Sequence, residues 1–83
     1  MDAVLIDTTR GRHSPIVTVA LNGVTDTKSL FTFCDNQIKP FITLSLESIY
    51  IEETGERIFY DSAAQPLVLP ETTIINIDCS GEY

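Results

Sequence analysis

The chain reads as an all-β domain, a small antiparallel sandwich or barrel of six to seven short strands. Three observations point that way. Ten Ile, ten Thr and five Val make 25 of the 83 residues β-branched, which favours a pleated backbone over a helical one. Apolar residues recur with period two in several short runs. Turn signals break those runs at intervals of roughly 8–12 residues, the spacing of small sandwiches and barrels. Eighty-three residues make one domain, 1–83, with room for a single thin core.

Residues 3–8 (AVLIDT) supply the first strand, and Arg10-Gly11-Arg12-His13 the turn after it. The second strand spans 15–22 (PIVTVALN), with Pro15 at its first position, where a missing N–H is tolerated. Asn22-Gly23 is the strongest short turn signal, since both residues accept positive φ. Residues 28–34 (KSLFTFC) form the expected third strand, with Phe31 and Phe33 opposite Leu30, Thr32 and Cys34.

Residues 41–51 (FITLSLESIYI) change phase. Ile42, Leu44 and Leu46 are even, whereas Ile49 and Ile51 are odd, so a bulge or bend is expected near Glu47-Ser48. A short helix is the rival there, and the β-branched and aromatic content favours the strand. Glu53-Thr54-Gly55-Glu56 separates 49–52 from 57–61 as a hairpin with a short Gly-containing loop. Residues 62–65 read as a loop, and 66–70 (PLVLP) as an edge or crossing segment between prolines. The last strand, 72–79, sets Ile75, Ile77 and Cys79 on one face.

The net charge is −7, and it is not spread evenly. Residues 1–40 balance Asp2, Asp7, Asp26 and Asp35 against Arg10, Arg12, Lys28 and Lys39. Residues 41–83 carry eight acids against Arg57 alone. An acidic chain lacks the basic footprint that a nucleic-acid backbone demands. Tyr50, Phe59 and Tyr60 fall in the acidic half, where stacking on single strands would be opposed by phosphate repulsion, so these aromatics suit a core or a protein interface. No apolar run approaches the roughly 20 residues that span a bilayer. Asp2 stands where a signal peptide wants positive charge. A cytoplasmic protein that engages neither membrane nor nucleic acid is expected.

No catalytic set converges. His13 is the only histidine and sits in the Arg-rich turn, and a couple with Cys34 would need the fold to bring them together. Cys34, ending a strand, is expected to be the more accessible thiol, and Cys79 a small apolar core residue. Without a secretory signal both are expected reduced. Two cysteines and one histidine without close spacing do not make a zinc site. Glu52, Glu53 and Glu56 lack the Asp-x-Asp-x-Asp-Gly pattern of a calcium loop. No cofactor, metal or enzymatic activity is expected.

The function these features imply is a non-enzymatic protein–protein interaction or assembly domain, self-associating as a homo-oligomer through strand edges or an apolar sheet face. The candidate partner-binding residues are Arg10 and Arg12, suited to clamping a carboxylate, and the acids Glu52, Glu53, Glu56 and Asp61. The alternative is a small acidic inhibitor, a nucleic-acid mimic that blocks a basic groove of a partner protein.

Overall fold

The computed structural model describes residues 2–11 and 13–80. In chain order it comprises β1 (Asp2–Asp7), a 3-10 turn (Thr9–Gly11), β2 (Ser14–Ala20), α1 (Thr27–Ile38), β3 (Ser45–Ile51), β4 (Glu56–Phe59) and β5 (Thr72–Ser80). The strands form one sheet in the order β2-β1-β5-β3-β4. β1 and β5 run parallel at its centre, and every other adjacent pair is antiparallel. The fold is mostly β, but three parts of the expectation are corrected. Among the described residues there are five strands rather than six or seven, the sheet is mixed, and it is neither a sandwich nor a closed barrel.

The lower strand count has its main cause at 28–34, which is helix. Asp26 is its N-cap: Oδ1 accepts from the Ser29 backbone N–H at 2.7 Å, and Ser29 Oγ accepts from the Asp26 N–H at 3.2 Å. This reciprocal capping box supplies partners for donors that a helix start otherwise leaves orphaned. Thr27, Leu30, Phe31, Cys34 and Ile38 are the buried positions, spaced for one helical face. Pro40 follows the C-cap Lys39 and stops the helix.

One face of the sheet packs on that helix. Ala3 and Leu5 of β1, Ile75, Ile77 and Cys79 of β5, Leu46, Ile49 and Ile51 of β3, and Ile58 of β4 meet Leu30, Phe31, Cys34 and Ile38. The opposite face carries no helix among the described residues. The shift of phase in β3 is a bulge, as the sequence suggests: Leu46 pairs with Cys79 and Ser48 with Asp78, leaving Glu47 extra. The β3–β4 hairpin turns at Gly55, whose φ of +71° suits glycine. Gly23 also has positive φ, yet it leads into α1 rather than closing a hairpin.

Residues 66–70 are a crossing segment. The Leu67 N–H donates to Thr25 O at 3.2 Å and the Thr27 N–H to Gln65 O at 2.9 Å, tying this stretch to the start of α1. Among the described residues, no helix is long and apolar enough to cross a membrane.

Candidate interaction surface

The two edges of the sheet differ. β4 is four residues long and carries Glu56 and Arg57. Its Phe59 N–H donates to Ser62 Oγ at 3.1 Å, so the following loop covers part of that edge. Short, charged and covered edges resist further pairing. β2 is longer and uncharged, with Pro15 and a bulge confined to its first half. Its seven residues, SPIVTVA, contain no charge. Val17 faces Leu5 and Pro15 faces Ile6, so Ile16 is an extra residue in the β1–β2 ladder. Beyond β1, no described backbone group hydrogen-bonds to β2, so alternate N–H and C=O groups point outward unpaired. Thr18 and Ala20 are exposed, and Ile16, Val17 and Val19 are half-buried.

A second feature lies on the helix side. Phe31 and Tyr60 meet edge to face with centroids 6.1 Å apart. They border a groove of about 790 Å³ that Ile42, Leu44 and Leu46 also line. The ion pair Lys39–Asp35, at 3.6 Å, stands on its rim. Tyr60 is 78% and Phe41 61% exposed.

Of the candidate acids, Glu52, Glu53 and Glu56 lie at the turn of the β3–β4 hairpin and Asp61 lies past the far end of β4. Glu52 accepts from Asn76 Nδ2 at 3.1 Å. Glu53 reaches further into the fold, accepting from Thr73 Oγ1 at 2.6 Å and from the Ile74 backbone N–H. Glu56 opens β4, and Asp61 lies beyond its other end, beside Lys28, Phe31 and Tyr60. Arg10 belongs to the 3-10 turn. Its side chain, and Arg12 altogether, lie outside the described residues.

The helix-free face holds a polar cluster that sequence reading missed. Arg57 Nη1 donates to Ser48 Oγ at 3.0 Å, and its guanidinium lies 5.3 Å from the Tyr50 ring centroid. Asn76, beside Tyr50 in register, is buried. The odd–even alternation along β3 and β5 puts Ser48, Tyr50 and Asn76 on one face but does not reveal that their strands are neighbours.

Cys34 is not the accessible thiol that a strand end would have made it. It is fully buried in α1, and burial pushes its pKa up to about 12. Cys79 is buried among β5's apolar face, as expected, and its thiol is also shifted upward, chiefly by burial. Both thiols are free. His13 is exposed in the β1–β2 connection, so a sealed Cys34 offers it no nucleophile at the surface. Among the described residues, no group of three or more His, Cys, Asp or Glu is placed to hold a metal ion.

No protein-family model matches the chain, and neither a curated protein nor a solved structure matches it.

Proposed function

We propose that the protein is a non-enzymatic assembly domain that self-associates through β2. Two copies of the strand would pair antiparallel, joining two five-stranded sheets into one. The observation that carries this reading is the contrast between the edges: β4 is short, charged and partly covered, whereas β2 is seven residues long, uncharged and open. An edge of that kind is a template for strand addition, in which main-chain hydrogen bonds supply affinity. The small core gives association a further benefit, since a partner that binds only the folded chain stabilises it. Two free, buried thiols suit the reducing cytoplasm, where we place the protein.

Replacing the exposed Thr18 and Ala20 by Lys tests this reading. The double variant puts charge on the edge without entering the core, and it lowers the net negative charge that keeps copies apart. Sedimentation equilibrium is expected to give twice the 9.2 kDa chain mass for the native protein and a monomer for the variant. A native protein that is monomeric at millimolar concentration would sink the proposal.

The reading as a small acidic inhibitor draws on the excess charge of residues 41–83. Glu52 and Glu53 are engaged with β5, however, and Asp61 stands apart from them, which weighs against a single row of phosphate-like carboxylates. That reading requires binding to a basic protein that weakens steeply with salt.

A further inference from the structure

Asn76 occupies the middle of the helix-free face, opposite Ile6 of β1 and Tyr50 of β3. It is only 8% exposed. Its Nδ2 donates to Glu52 Oε1 at 3.1 Å, and its Oδ1 is buried with no hydrogen-bond partner. The Glu52 carboxylate can only accept, so it fixes the amide with nitrogen toward it and oxygen away. An orphaned buried acceptor is uncommon in folded proteins and calls for a specific reason. Two residues along β5, on the same face, stands the half-exposed Asp78, paired in register with Ser48.

We propose that Asn76 Oδ1 and the Asp78 carboxylate form a subsite for one arginine of a basic partner protein. A guanidinium has five N–H donors and no acceptor, which complements the unpartnered Asn76 oxygen and the Asp78 carboxylate. Its planar fork can serve an amide oxygen and a carboxylate together. The half-buried Val4, Ile6 and Ile74 lie beside the pair on this face, and the aliphatic stem of the arginine packs along them. Because that oxygen is buried, binding requires a side-chain movement on this face that uncovers it. Charge selects the occupant: copies of a chain at −7 repel one another across this acidic part of the sheet, whereas a basic protein is drawn to it. The subsite lies on β5, separated from the β2 edge by β1.

The test is a nitrogen-15 NMR titration of the full chain with N-acetyl-arginine amide, with N-acetyl-citrulline amide as the uncharged isostere. Saturable shifts of the Asn76 side-chain amide and the Asp78 backbone amide are expected with arginine only. Asp78→Asn, at a half-exposed position, should weaken the binding about tenfold by removing a charge-assisted contact. Asn76→Val should weaken it as well, read at the Asp78 amide; if that variant fails to fold, Asp78→Asn alone decides. Absence of saturation, equal shifts with citrulline, or unchanged affinity in Asp78→Asn would overturn the proposal. So would movement of the same resonances with protein concentration alone, which would make the occupant a second copy.

Discussion

Glu53 does with a side chain what β3 stops doing with its backbone. The strand ends at Ile51, yet the Ile74 N–H of β5 still needs an acceptor beyond it, and the Glu53 carboxylate supplies one while also accepting from the buried Thr73 hydroxyl. Glu53→Ala leaves both donors without that partner and should cost about 1–3 kcal/mol, measured by urea denaturation. Glu53→Gln keeps an acceptor and should cost less. Equal stability of Glu53→Ala and the native chain would show the contact to be idle. In the sequence Glu53 reads as one of several surface acids, because nothing local reveals a partner 20 residues away. The burial of Cys34 is hidden in the sequence for a related reason: its accessibility depends on whether its segment is strand or helix. Its buried thiol stays neutral well above the ordinary value of 9.0. The folded pKa is raised, so the stabilisation is complete below pH 9.0 and is lost as pH rises toward about 12. Denaturation midpoints should therefore fall across that alkaline window, and fall less in Cys34→Ala.

At the scale of elements, α1 shows where pattern reading fails. Residues 28–34 alternate their phenylalanines with period two and include Thr32, which favours a strand. The same stretch also carries buried positions at helical spacing behind a cap, and the cap decides, because Asp26 and Ser29 satisfy each other only in the helical geometry. The Asp26 carboxyl is held below its usual 3.8, first by the Ser29 backbone N–H and then by its side chain. With the folded pKa depressed, the cap's contribution is present above pH 3.8 and lost as pH falls through the lowered value. Asp26→Ala should thus denature at lower urea than the native chain at pH 7, and that gap should close in acid. A gap unchanged at pH 2 would contradict the capping role. The bulge in β3 was legible because a slip of one residue reverses every side chain, and the change from even to odd apolar positions recorded it. The parallel pairing of β1 with β5 was not legible, since period-two patterns fix which face a residue takes but not which strand lies alongside.

Across the whole molecule, the strand order turns a division of the sequence into a division of the surface. β2 and β1 come from the neutral first 40 residues, and β5, β3 and β4 from the half that holds the entire excess of acid. Like-charged copies can therefore approach at β2 while the acidic strands stay apart, which is the physical basis of the proposed assembly through that edge. The candidate site was legible only in outline. Strand edges and aromatic exposure follow from composition, but the open edge could be assigned to β2 only after 28–34 proved to be helix and left the strand without a second neighbour. The most direct test is amide hydrogen exchange across β2 at high and low protein concentration. The account predicts that alternate amides of Ser14–Ala20, those facing away from β1, are protected in concentrated protein and lose that protection on dilution. Exchange of those amides at loop-like rates at every concentration would contradict it.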